Sequence, residues 1–257
     1  MQNDYTALDR PEILAFVFYP RKDFTKAPPN ASDHIVSVDK DVSISCRFYT
    51  HSQDSPTILY FHGNGEVVSD YDNIAPMYNE LGINLFVADY RGYGASQGRP
   101  TFSNTVTDAH ILLKALIDIL RYNHYGSDIF VMGRSLGSVS AIEIAYHYQR
   151  QIKGLIIESG FASIDSLLSL LGFPAESLGI ENTGFPNLLK IRTITLPTLI
   201  IHGEYDNMIP STEAEALFDN TASRDKQLVI IPGASHNDIM WQGMMLYFEA
   251  IKTFVFT

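Results

Sequence analysis

Gly133-Arg134-Ser135-Leu136-Gly137 sets a serine between two glycines, directly after the apolar run Ile129-Phe130-Val131-Met132 and before a stretch with helical spacing, Ser138 to Tyr148. A serine on a sharp strand-to-helix turn is held in a strained backbone conformation that exposes its hydroxyl, and the glycines leave room where a Cβ would collide. Serine is a poor nucleophile unless a base takes its proton, so the chain must also supply a histidine and a group to orient it. Two later loops offer both. Gly203-Glu204-Tyr205-Asp206 follows the apolar run Thr198 to His202, and Pro232-Gly233-Ala234-Ser235-His236 follows the run Gln227 to Ile231. The reading is Ser135 as nucleophile, His236 as base and Asp206 as the orienting carboxylate. Glu204 is the competing acid, but the spacing His202-Gly203-x-x-Asp206-x-x-x-Pro210 favours Asp206.

An oxyanion formed by attack at a carbonyl needs two backbone N–H donors. The residue after the nucleophile, Leu136, supplies one. The other is expected from His62-Gly63-Asn64-Gly65, with Asn64 preferred over Gly65.

These loops need a scaffold that brings them to one edge. The runs Thr57–Tyr60, Asn84–Ala88, Asp128–Met132, Gly154–Glu158, Thr198–His202 and Gln227–Ile231 are short and rich in Ile, Val and Leu, as strands buried on both faces are. Helical spacing lies between them, notably Asn104 to Tyr122 with Val106, Ala109, Leu113, Leu116, Ile117 and Leu120 on one stripe. Alternating strand and helix predicts an α/β fold with a mostly parallel sheet, helices on both faces and reactive groups in loops at the carboxyl ends of the strands. His34–Val38 and Val42–Tyr49 alternate about an Asp39-Lys40-Asp41 turn and predict an antiparallel hairpin at a sheet edge, bringing the count to eight strands. The chain is expected to form one domain, 1–257, with a small lid within 161–196. The stripe Trp241-Met244-Met245-Phe248 is expected in the core.

With 46% hydrophobic and 18% charged residues the composition is that of a folded globular chain. A formal net charge of −11 disfavours nucleic acid and anionic lipid as partners. No apolar stretch approaches the ~20 residues of a bilayer span, so no stable membrane insertion is expected. The lone Cys46 excludes an internal disulfide, and a cytoplasmic protein is expected. His62 and His202 are read as loop buttresses. His34, His51, His110, His124 and His147 are read as having no Asp, Glu or Cys partners at metal-ligand spacing, and neither a metal nor another cofactor is expected.

In order along the chain, H-G-N-G, D-Y-R-G-Y-G-x-S (Asp89 to Ser96), G-x-S-x-G, H-G-x-x-D and the terminal histidine resemble the serine α/β-hydrolase superfamily. The Asp89–Ser96 segment is similar to the small-lid group that includes depalmitoylase-like α/β-hydrolase-domain proteins and hydrolases related to prolyl oligopeptidases. The resemblance implies the α/β-hydrolase fold, a small-molecule ester or acylated substrate, and structural roles for Asp89 and Arg91. Cleavage of short to medium carboxylic esters is the expected activity, with thioester cleavage or protein deacylation the alternative, then peptidase action or a binding module without catalysis.

Overall fold

In the computed structural model, which describes residues 5–163, Leu168 and 187–257, consecutive residues of each apolar run face opposite sides of one sheet. The described elements are α1 (Pro11–Val17), β1 (Ala31–Asp39), β2 (Val42–Tyr49), β3 (Thr57–Phe61), α2 (Ala75–Glu80), β4 (Asn84–Ala88), α3 (Phe102–Tyr122), β5 (Ile129–Arg134) and α4 (Gly137–His147). They continue with β6 (Gly154–Glu158), α5 (Asn187–Ile191), β7 (Thr198–Gly203), α6 (Ser211–Asn220), β8 (Lys226–Ile231), α7 (Ile239–Gln242) and α8 (Met244–Phe256). Eight strands run in the order β1-β2-β4-β3-β5-β6-β7-β8. The β1–β2 hairpin forms the expected edge, β2 meets β4 antiparallel, and the remaining pairs are parallel.

Leu59, Val131, Ile157 and Ile200 point to the face covered by α3 and α4, where they join Leu112, Leu116, Val139 and Ile142 in one core. Their neighbours Tyr60, Met132, Ile156 and Ile201 point to the other face, beside Tyr78, Phe248 and Ile251. Two-sided burial explains why these strands read as continuous apolar runs instead of alternating ones. Helix α3 begins two residues before its periodic stripe, because Thr101 and Asn104 cap it reciprocally. Thr101 Oγ1 accepts from the Asn104 N–H at 3.1 Å and Asn104 Oδ1 accepts from the Thr101 N–H at 2.9 Å.

The terminal stripe departs from expectation. Phe248 is buried, but Trp241 and Met245 are 52% and 88% exposed. Gly243 separates α7 from α8, so the two helices do not share one phase. Ile239 and Met240 bury from the first, and Tyr247, Phe248, Ile251 and Val255 from the second. The lid expected within 161–196 lies largely outside the described residues.

Parallel register gathers the carboxyl ends of the strands at one edge, with Phe61 opposite Gly133, Arg134 opposite Glu158 and Gly203 opposite Ile231. There α4 leaves β5 so close to β3 that a Cβ on Gly137 would stand 2.0 Å from the Phe61 carbonyl oxygen, and one on Gly133 would stand 2.3 Å from the Gly137 oxygen. Both collisions are with backbone, which has no rotamer to yield. Gly137→Ala is expected to lower the unfolding free energy by about 3 kcal/mol, measured by urea denaturation. A loss below about 1 kcal/mol, the size of an ordinary substitution, would contradict this packing.

Candidate active site

Ser135 occupies the turn between β5 and α4 at φ +51°, a left-handed conformation rare for a residue with a Cβ. The turn is fixed from both sides. The Ser135 N–H donates to the Glu158 carbonyl at 2.8 Å, while the Ser135 carbonyl accepts from the Ser138 N–H at 3.0 Å and the Ser138 hydroxyl at 2.7 Å. The side chain is thereby turned toward the β7 and β8 loops. Ser135 Oγ donates to His236 Nε2 at 3.1 Å, and His236 Nδ1 donates to Asp206 Oδ2 at 2.7 Å. All three residues are buried.

A second serine has the same spacing, Ser96 between Gly94 and Gly98. Its hydroxyl accepts from the Ser45 N–H at 2.9 Å, within a turn that β4 enters and no helix continues. Its hydroxyl holds β2, and its carbonyl accepts from the Lys22 ammonium at 2.6 Å.

Asp206 is anchored by four groups. Its Oδ1 accepts from the Met208 and Ile209 N–H groups at 2.9 and 2.7 Å, and its Oδ2 meets His236 and, at 3.3 Å, His202 Nε2. Burial opposes the charge, but the hydrogen bonds from His202, His236 and the Ile209 N–H outweigh it and hold the carboxyl well below the usual carboxylate range. The group is ionised and aimed at the imidazole. Glu204 is exposed, and its Oε2 accepts from the Gly233 N–H at 2.8 Å, bracing the β8 loop without reaching His236.

The sheet also brings the H-G-N-G loop to the elbow, because Phe61 and His62 abut Gly137. The Asn64 side chain is held by the Val17 carbonyl, by the Tyr19 N–H at 3.0 Å and by the Tyr93 hydroxyl at 2.6 Å. Among the described residues the backbone N–H groups of Asn64 and Leu136 have no acceptor. His62 stands between the loop and β4. Its ring nitrogens meet the Gly63 carbonyl at 2.7 Å and Asp89 Oδ1 at 3.2 Å, and Asp89 Oδ1 also accepts from the Val68 N–H. Arg91 forks onto Asp108 of α3 at 2.7 and 2.8 Å. Tyr90 donates to the His62 carbonyl at 2.6 Å. The segment Asp89–Ser96 is thus a brace for the loop beside Ser135.

The sequence reading missed Arg134, the variable residue inside the elbow. Its buried guanidinium pairs with Glu66, donates to Glu158 Oε1 at 3.1 Å, and donates to the His236 carbonyl at 2.8 Å. Glu66 in turn accepts from the Gly63 N–H at 2.8 Å and the Tyr71 hydroxyl at 2.7 Å. One cation therefore joins the H-G-N-G loop, the end of β6 and the histidine loop. Burial pushes the Glu158 carboxyl up despite Arg134 and the Tyr247 hydroxyl, which donates to it at 2.7 Å. The signal was present: charged residues end two otherwise apolar strands.

The chain matches the model of a hydrolase family described as serine aminopeptidase, S33, over residues 52–190 and 188–240. The chain belongs to this family of α/β-hydrolases. It is 33% identical over 217 residues to human alpha/beta hydrolase domain-containing protein 17B, covering 82% of this chain and 70% of the relative. The Xenopus tropicalis protein of the same name is 32% identical with the same coverage. Among solved structures, an esterase of Pyrococcus furiosus superposes with a TM-score of 0.76 at 17% identity, over 92% of this chain and 97% of that one. Est1E of Butyrivibrio proteoclasticus, solved with ferulic acid, gives 0.68 at 20% identity over 86% and 97%. At these identities the likeness is one of fold, and it is the α/β-hydrolase fold. No helix among the described residues is long and apolar enough to cross a membrane.

The contrast between the two acids is directly testable. Asp206→Asn should lower turnover of an activated ester by about four orders of magnitude, the scale for a serine triad whose imidazole is left in the wrong tautomer. Glu204→Gln should stay within a few-fold of the parent. Steady-state kinetics on variants with unchanged circular dichroism decides, and the reverse ranking would hand the role to Glu204.

Proposed function

We propose that this hydrolase cleaves carboxylic esters through an acyl-enzyme on Ser135, with His236 and Asp206 completing the triad and the N–H groups of Asn64 and Leu136 forming the oxyanion hole. The observation that carries the reading is the unbroken line of hydrogen bonds from Ser135 Oγ through His236 to Asp206. Ser135 Oγ attacks the carbonyl carbon while His236 Nε2 takes its proton, and the ionised Asp206 stabilises the imidazolium. The carbonyl oxygen becomes an oxyanion facing two N–H groups that have no competing acceptor among the described residues, each worth about 3 kcal/mol to the transition state. Collapse breaks the ester bond, and His236 returns the proton to the departing alcohol. A water molecule then attacks the acyl carbon with His236 again as base. The carboxylic acid leaves, and Ser135 recovers its proton.

Short to medium acyl groups are the proposed substrates, with the whole chain acting as one cytoplasmic hydrolase domain. Support comes from the formal net charge of −11, which works against recruitment to anionic bilayers, and from the single, buried Cys46. The resemblance to depalmitoylase-like proteins favours thioesters as the second reading, since the same attack expels a thiol. The family description adds peptides as a third arm of the test.

A fluorophosphonate probe should label one residue, Ser135, as mapped by peptide mass spectrometry, and labelling should vanish in Ser135→Ala. Absence of labelling in the folded parent would leave a hydrolase fold without catalysis. Specificity constants for butyrate, octanoate and palmitate, each as oxygen ester and thioester, with an aminoacyl anilide alongside, should peak at butyrate or octanoate oxygen esters. A palmitoyl thioester with the highest constant would promote the deacylase reading, and the anilide would promote the peptidase.

A further inference from the structure

Between α3 and α4, three side chains converge in a way the proposed hydrolysis does not use. Glu143 and His147 lie one turn apart on α4, and His110 faces them from α3. Glu143 Oε1 is 3.2 Å from His110 Nε2 and 3.0 Å from His147 Nε2. The three potential ligand atoms all lie within 4.8 Å of one another. The expectation that these histidines lack a carboxylate partner at ligand spacing is corrected here, since Glu143 lies four residues before His147 on one helix; His110 comes from another helix, 33 residues away from Glu143 in the chain.

We infer that His110, Glu143 and His147 form a binding site for a divalent transition metal of the Zn2+ class, bridging α3 and α4. The donor set is two imidazole nitrogens and one carboxylate oxygen, which suits Zn2+, Ni2+ or Cu2+ and not the all-oxygen preference of Mg2+ or Ca2+. Ligands about 2.0–2.1 Å from a tetrahedral Zn2+ stand roughly 3.3 Å apart, and both His–Glu separations are close to that edge. Only the gap between the imidazoles needs to narrow, and the two rings already meet edge-on with centroids 5.2 Å apart.

The surroundings are those of held ligands. Tyr148 Oη lies 3.0 Å from His110 Nδ1, where a proton on Nδ1 leaves Nε2 bare toward Glu143. The Lys190 ammonium of α5 pairs with Glu143 Oε2, so one carboxylate oxygen is anchored while Oε1 faces the imidazoles. The exposed side of His147 leaves a position for water as a fourth ligand.

Isothermal titration of the full chain, stripped with a chelator, tests the site with Zn2+ as probe. One equivalent should bind, with Mg2+ giving no signal. His147→Gln and His110→Gln should each weaken the affinity by more than about tenfold, since even outer partners of metal ligands cost that much. His51→Gln, on an exposed loop, should bind as the parent does, and His236→Gln should keep the equivalent. Absence of Zn2+ binding by the parent would overturn the assignment. So would equal affinity in His147→Gln and His110→Gln, or loss of the equivalent in His236→Gln, which would move the ion to the triad. His147 is a half-exposed side chain near the end of α4, so its replacement tests the ligand without emptying the core.

Discussion

There is no room for a single methyl group between the elbow and the end of β3, and the site depends on that closeness. With Cβ atoms excluded at Gly133 and Gly137, α4 can begin against the Phe61 and His62 carbonyls, and Ser135 is forced into a left-handed turn. The same contact brings the Asn64 loop beside Ser135. A serine hydroxyl exposed at a strand end would otherwise be one polar surface group among many. Here the backbone has determined where it points before any substrate arrives, so orientation costs nothing at the moment of reaction.

A second layer keeps the loops in step. Burying a guanidinium is unfavourable unless carboxylates and carbonyls surround it, and Arg134 meets that condition through Glu66, Glu158 and the His236 carbonyl. Each of these partners belongs to a different segment of the site. Movement of any one leaves a buried charge or carbonyl without its partner, which penalises partial opening of the site. On the other side of the nucleophile, Asp89, Tyr90 and Tyr93 hold the H-G-N-G loop from β4. Ser135, His236 and Asp206 are thus flanked by two polar networks, one centred on a cation and the other on a histidine–aspartate contact.

The strands were legible because their burial on both faces writes itself as apolar runs, and the residues Ser135, Asp206 and His236 because each follows such a run. Their meeting within hydrogen-bond distance is what parallel register does with three loops at one edge. What escaped was decided by three-dimensional neighbours. Arg134 looks like a free choice within G-x-S-x-G until Glu66 and Glu158 are beside it. The stripe Trp241-Met244-Met245-Phe248 keeps helical spacing on paper, but Gly243 interrupts the helix and turns Met245 to solvent. His110 and Glu143 sit on neighbouring helices, and a spacing rule that looks along one segment does not see across two.

Hydrolysis through Ser135 would proceed by one covalent acyl group shared by every substrate with the same acyl part. Its most direct test is the partitioning of the butyryl group between water and added methanol, measured for a series of butyrate esters with different leaving alcohols. If one acyl-Ser135 intermediate lies on the path, the ratio of methyl butyrate to butyric acid is the same for every ester, whatever its rate of acylation. A ratio that changes with the leaving alcohol would mean that water attacks the substrate directly, and the nucleophilic role of Ser135 would fall.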